Sequence, residues 1–323
     1  MGSAKRGKAP VPLFRRKRPQ PRETGDAGTR AKDLSEIQPD AIILTGELPL
    51  IYAPTSAERW LAAVTRLEEV SAYKRLSYKL LDLAPGHAAL DLGCGLGDDA
   101  RAIAELVAPS GRVVGVDVEA KMIEAATARQ LEEPTCPDVE FMRADGEQLP
   151  FPDESFDAVR IDRVLQHADD PARVLGEVYR VLRPSGRLTV IEPDWKSMLI
   201  YPGSAAGGDD DSVVAQVFDW HVNQITHPLI GRQLRALIGT AGFVDVQLVP
   251  VAYSSYHFPI ADLVCELTAT AEALTQLDPP PLTREDAAAW LAAMRAADDD
   301  GTFFGAVPLF FGRGLRPDAG SGV

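Results

Sequence analysis

Asp91, Gly93, Gly95 and Gly97 stand at alternating positions in the stretch Leu90-Asp91-Leu92-Gly93-Cys94-Gly95-Leu96-Gly97-Asp98, behind an apolar run that starts at Ala88. Glycines at this density serve a tight turn, because a Cβ would block either left-handed backbone angles or the close approach of a ligand. A helical pattern follows at once, with Ile103, Leu106 and Val107 on one face. Strand, glycine loop and helix in that order bring backbone close to a nucleotide-like ligand. The spacing is G-x-G-x-G, and Asp98 stands where the third glycine of a dinucleotide loop would be. A second apolar run, Val113-Val114-Gly115-Val116, ends in Asp117, 20 residues beyond Gly97. A carboxylate there can take both ribose hydroxyls of an adenosine.

Three more apolar runs end in polar residues. Val139-Glu140-Phe141-Met142-Arg143 is followed by Ala144-Asp145-Gly146. Ile161-Asp162-Arg163-Val164-Leu165-Gln166-His167 closes a fourth run, and Glu192-Pro193-Asp194-Trp195 closes a fifth.

These motifs resemble the class I S-adenosylmethionine-dependent methyltransferases. Leu149-Pro150-Phe151 with Ser155-Phe156-Asp157 matches the family's run before its fourth strand. Val181-Leu182-Arg183-Pro184-Ser185-Gly186 matches the turn before its fifth, with Ser185 in place of a glycine. The likeness covers residues 60–195 best and points to the small-molecule branch that includes the ubiquinone and menaquinone biosynthesis methyltransferases. It implies S-adenosyl-L-methionine as cofactor and S-adenosyl-L-homocysteine as product. By resemblance, Asp91, Gly93, Gly95 and Gly97 surround the methionine and ribose portion, and Asp117 takes the ribose diol. Val118 and Met122 flank the adenine, and Asp145 with Gly146 meets its amino edge. Arg163 pairs either with the cofactor carboxylate or with Asp162. His167 is the candidate base, against a structural histidine as the alternative. Asp194 and Trp195 face the acceptor, or Trp195 merely fills a cap interface. His221 and His227 read as solvated or structural.

Positioning these residues takes a parallel sheet. Apolar strands are expected at 88–92, 112–117, 138–143, 156–162 and 187–192, with helices near 98–108, 119–130 and 171–182. Asp170 before Pro171 is a helix start. Two helices are expected earlier, one from Ala57 through Tyr73 behind a Thr55 or Ser56 cap, and one through Leu76, Leu80 and Leu81. Later come helices over 213–225, 231–241, 259–277 and 283–297, and strands over 243–249 and 307–311. The expected fold is α/β, Rossmann-like: a seven-stranded, mostly parallel sheet with helices on both faces, the last strand antiparallel and helical cap insertions. Insertions over about 196–240 and 251–305 are read as a substrate cap on a methyltransferase domain spanning 41–323.

Composition narrows the partners. Of 323 residues, 46% are hydrophobic and 25% charged, an ordinary globular balance. No apolar run reaches membrane-spanning length and the N-terminus has no apolar leader, so the expected location is the cytoplasm. Cys94, Cys136 and Cys265 form no C-x-x-C pattern, so neither a metal site nor a disulfide framework is expected. Residues 1–32 carry ten Lys or Arg against Glu23 and Asp26, a net of +8, and read with 33–40 as a basic disordered tail. The total is −14, which leaves −22 on the rest, and an acidic body disfavours nucleic acid. The partner expected is a small-molecule acceptor methylated on O, N or C, secondary-metabolite or quinone-like. Two competing readings stay open: a non-catalytic binding or assembly protein on the same fold, and an RNA or protein methyltransferase using the basic tail. A homodimer is one option for the assembly.

Overall fold

Asp91, Gly115 and Arg160 lie side by side on three adjacent strands of the sheet. A computed structural model describes residues 42–44, 61–62, 64–65, 67–132, 137–201 and 211–318. The basic tail, the expected caps at Thr55 and Ser56, and Cys136 lie outside the described residues.

The strands are β1 (Ile42–Leu44), β2 (Ala88–Leu92), β3 (Arg112–Asp117), β4 (Val139–Arg143), β5 (Phe156–Asp162), β6 (Leu182–Pro193), β7 (Leu199–Tyr201), β8 (Val244–Ser255) and β9 (Phe304–Leu315). Their order is β1-β8-β9-β6-β5-β2-β3-β4, with β7 also pairing β9. β9 is antiparallel to β6, β7 and β8, and the other pairings are parallel. The seven expected strands are therefore present with the last one antiparallel, and two three-residue strands extend the sheet. β2 is nearly continuous in apolar residues because both of its faces are covered, and in β5 the charged Arg160 is buried as well. From β2 the chain winds through β3 to β4 on one side, then crosses to β5 and β6 on the other. Ligands bind beyond the carboxyl ends of the strands at such a reversal.

The helices are α1 (Glu68–Leu81), α2 (Asp98–Val107), α3 (Ala120–Glu132), α4 (Pro171–Val181), α5 (Asp211–Asn223), α6 (Ile230–Thr240), α7 (Phe258–Cys265), α8 (Leu267–Leu274) and α9 (Arg284–Asp299). Asp170 caps α4 as expected, accepting from the Ala172 and Arg173 amides at 3.0 and 3.1 Å. Two elements differ from the sequence expectation. The expected break between Tyr73 and Leu76 is absent: Val70, Tyr73, Ser77, Leu80 and Leu81 form one buried stripe, so α1 runs through. The expected helix over 259–277 is two helices, because Glu266 adopts a left-handed φ of 50° between α7 and α8.

Of the stretch 196–240 expected as insertion, α6 packs on the sheet, with Ile230, Leu234 and Ile238 in the same apolar core as β2, β5 and β6. α5, α7, α8 and α9 share a second core with Tyr73 of α1, Val251 of β8 and Leu309 of β9. That core joins these four helices into one layer.

Candidate functional site

The glycine loop is pinned to β3. Gly93 and Cys94 both donate from their amides to the Val116 carbonyl, at 2.8 and 2.9 Å. Gly93 has φ +76°, and a Cβ there would sit 2.1 Å from Val164 Cγ2. Asp117, at the end of β3, closes the loop from the other side. Its Oδ2 accepts from the Gly95 amide at 3.0 Å and its Oδ1 from the Glu119 amide at 2.9 Å.

A cavity of about 1170 Å³ opens over this loop. Gly93, Gly95, Asp117, Val118 and Met122 line it, and so do Asp145, Gly146, Arg163, His167 and Trp195. Away from the loop its lining is mixed: Val64, Tyr73, Val264, Ala269 and Ala273 are joined there by Glu266 and Thr270.

Three expected site residues do not line this cavity, each for a visible reason. Asp91 is 1% exposed, and its Oδ1 lies 3.2 Å from Arg160 Nη1, beneath the loop. Gly97 faces Phe141, whose ring would lie 2.5 Å from an added Cβ, and it starts α2. Asp194 is 1% exposed and turned to Arg232, whose Nε and Nη2 both donate to its carboxylate.

Under the cavity floor lies a buried ion network. Arg160 donates to Ser77 Oγ at 2.9 Å and Asp162 Oδ2 at 2.7 Å, and lies 3.3 Å from Asp99. Lys74 donates to Asp99 at 2.6 Å, and the Tyr78 hydroxyl also donates to it. Burial pushes the Asp91 carboxyl up to about 7 against the pull of Arg160. Burial also works to raise Asp99, but the Arg160 and Lys74 charges outweigh it and hold Asp99 below the carboxylate range. Burial likewise pushes the Cys94 thiol up, so it stays protonated and unreactive at neutral pH.

A methyltransferase domain model matches residues 90–190. A 37.1 kDa protein of uncharacterised function from the Streptomyces fradiae transposon TN4556 is 38% identical over 254 residues, covering 78% of this chain and 69% of its own. The ubiquinone/menaquinone biosynthesis C-methyltransferase UbiE of Ectopseudomonas mendocina is 38% identical over 120 residues, 37% of this chain and 47% of its own. The demethylmenaquinone methyltransferase of Lactobacillus johnsonii is 36% identical over 122 residues, 38% of this chain and 50% of its own. The chain belongs to the class I S-adenosylmethionine-dependent methyltransferases. It spans about half the length of the two quinone-pathway relatives. In structure it is similar to a methyltransferase-like protein of Bacillus halodurans (TM-score 0.51, 19% identity, 76% of this chain and 99% of that one). It is also similar to the [4+2]-cyclase SpnF (TM-score 0.50, 23% identity, 78% and 83%). Both likenesses concern the fold alone.

The cofactor of this methyltransferase is S-adenosylmethionine. Several residues around its site carry no sequence motif. Glu192, at the end of β6, is fully buried, and its Oε1 accepts from the Val164 and Leu165 amides at 2.9 and 2.6 Å. It thereby holds the turn that presents Arg163 and His167. Burial raises its pKa to about 8. Gln166 accepts from the Trp195 indole N–H at 2.6 Å. Trp195 in turn meets the His221 ring edge-on, with centroids 5.1 Å apart. His227 is structural: its Nε2 donates to the Ala168 carbonyl at 3.0 Å. Only the burial of Glu192 in an apolar run hinted at its role in the sequence. His221 gave no signal, since its helix enters the wall through tertiary packing. Among the described residues no helix is long and apolar enough to cross a membrane, and no cluster could hold a metal ion.

Proposed function

We propose that the chain methylates a small acceptor with a largely apolar body, of the secondary-metabolite or quinone-like kind. The observation that carries this reading is one continuous cavity running from the glycine loop to Trp195, Trp220, Ile225, Val264, Ala269 and Ala273, where apolar and aromatic side chains outnumber the polar ones. Its volume of about 1170 Å³ exceeds the roughly 300–1,000 Å³ usual for one drug-sized ligand, enough for cofactor and acceptor together.

The lining fits the cofactor's chemistry. Asp117 offers carboxylate oxygens to the ribose hydroxyls while it holds the Gly95 amide. Val118 is 55% exposed and with Met122 offers an apolar ledge to the adenine. Asp145 with Gly146 meets the adenine amino edge, and Arg163 meets the methionine carboxylate. Asp91 supports the loop from beneath through Arg160. S-adenosylmethionine supplies a methyl group already activated on a sulfonium. The protein's share is then alignment and exclusion of water, which contribute roughly 7–11 kcal/mol to barrier lowering. Partial enclosure, with the Arg163 charge second, lowers the His167 pKa, so its imidazole is neutral at pH 7 and able to take a proton. The helices α5, α7, α8 and α9 form the substrate cap.

Titration calorimetry with S-adenosylmethionine, S-adenosylhomocysteine and NADH tests the reading. Micromolar binding of the first two and none of NADH is expected, followed by methyl transfer to apolar acceptors in a radiolabel screen. A folded sample that binds neither adenosyl ligand sinks it.

A further inference from the structure

We infer that Thr270 of α8 is a specificity-determining residue, its hydroxyl donating a hydrogen bond to a carbonyl oxygen of an acceptor whose ring body lies against Ala269 and Ala273; this rests on the methyl-transfer reading above.

Burial divides α8 into two faces. Leu267, Ala271 and Leu274 are sealed in the core that joins the cap helices. Ala269 and Ala273 are exposed and line the cavity, as do Thr270 and Glu266, the residue that precedes the helix. Positions 266, 269, 270 and 273 are three or four apart, so they share a face. An open helix face usually carries charged or polar chains. Two alanines there leave room that a ligand body can take.

Thr270 supplies the polar observation on that face. It is 7% exposed, yet among the described residues its hydroxyl makes no hydrogen bond, and its oxygen remains open to water. The cavity is the space that Thr270 borders. A threonine hydroxyl in a helix commonly donates to the carbonyl four residues back, as Thr127 does to Ile123 at 2.8 Å. For Thr270 that carbonyl belongs to Glu266, which accepts the Thr270 amide at 2.9 Å but not the hydroxyl. A donor on a side chain more than nine-tenths buried is thus left facing the cavity without a taker, and a bound oxygen supplies one.

The neighbours narrow which oxygen. Glu266 borders the cavity one turn before Thr270, so a carboxylate or phosphate would meet like charge there. A carbonyl is a neutral oxygen that a hydroxyl can serve. α5 packs against α8 and brings Trp220 and Ile225 to the same cavity, which Trp195 also lines. These side chains offer ring and aliphatic surface to the body that carries the carbonyl. Thr270 therefore selects which acceptor binds and takes no part in the methyl transfer itself.

The test is equilibrium dialysis of the full chain, saturated with S-adenosylhomocysteine, against 9-fluorenone and fluorene. The two share a flat tricyclic body, and a carbonyl in the first replaces a methylene in the second. The readout is the ratio of the two affinities. Thr270→Val keeps the shape of the side chain and removes the hydroxyl. The preference for 9-fluorenone is expected to fall roughly 3- to 10-fold in this variant, through weaker 9-fluorenone binding alone. Thr270→Ser carries a hydroxyl again and is expected to restore the ratio, which a merely structural role for Thr270 would not do. Ala273→Phe fills the space on the same face, and both probes are expected to weaken about ten-fold with their ratio kept. A ratio unchanged in Thr270→Val overturns the proposal, as does one that Thr270→Ser fails to restore. Undiminished binding in Ala273→Phe, or a wild type that does not bind 9-fluorenone, overturns it too. Binding of S-adenosylhomocysteine to the wild type is read first and separately by calorimetry. Its failure overturns the methyl-transfer reading and this proposal with it.

Discussion

Arg160 stands opposite Asp91 across β5 and β2, with its Nη1 3.2 Å from Asp91 Oδ1 and both side chains sealed from solvent. Residues paired in this way share a face of the sheet, so the register itself delivers the guanidinium beneath the glycine loop. One planar fork then serves Ser77, Asp91, Asp99 and Asp162. The acid that the motif places next to the cofactor is thus spent on holding the floor.

Arg160→Met is expected to destabilise the fold by about 3–5 kcal/mol, because it leaves buried carboxylates without their shared cation. Arg160→Lys is expected to recover little, since a point charge cannot reach four acceptors at once. Urea midpoints of the three proteins check this. A wild-type midpoint in Arg160→Met would show that the network carries no stability.

Glu192 makes stability depend on pH. Its pKa is raised from 4.5 to about 8 by burial, so the fold favours the protonated form. That contribution is fully present below pH 4.5 and is lost as pH rises toward 8. Glu192→Gln keeps an oxygen for the Val164 and Leu165 amides and removes the charge. Relative to wild type, the variant should gain on the order of a few kcal/mol between pH 5 and pH 8. Parallel unfolding curves at the two pH values would refute it.

Asp117 accepts from the Gly95 and Glu119 amides, so a substitution there acts on the loop as well as on any ribose. Asp117→Ala is expected to weaken S-adenosylhomocysteine binding roughly 10- to 100-fold by calorimetry. Asp117→Asn can still accept from one amide and should recover loop order, seen in the Gly95 amide resonance, without recovering affinity. Full affinity in Asp117→Asn would move the ribose contact elsewhere.

The fold was legible because strand and glycine-loop signals are local. Ala88–Leu92, Arg112–Asp117 and Phe156–Asp162 all fall where the apolar runs predict. What the sequence hid depends on distance along the chain. Asp91 and Arg160 are 69 positions apart, and no local pattern announces their contact. Asp194 resembles an acceptor-facing acid until Arg232, 38 residues later, closes on it. His221 reaches the cavity only because α5 packs with α8 and α9 into one layer over the sheet. Helix continuity was misread at Tyr73 because the buried stripe of α1 continues through Ser77, a polar residue that burial pairs with Arg160.

Asp194 separates a binding role from a structural one. Its carboxylate is buried, while the Arg232 side chain that grips it is 48% exposed and also donates to Ser197 Oγ at 2.9 Å. The pair ties α6 to the short turn that begins at Trp195, so it sets where that indole stands. Asp194→Ala is expected to cost about 1–3 kcal/mol in stability, because Arg232 can turn to water while the buried turn loses its anchor. Arg232→Ala leaves the carboxylate buried without its partner and should cost at least as much. Neither is expected to alter S-adenosylhomocysteine affinity, since Asp194 does not border the cavity. Thermal unfolding paired with calorimetry distinguishes the roles. Intact stability with lost acceptor binding in Asp194→Ala would return this acid to the substrate pocket.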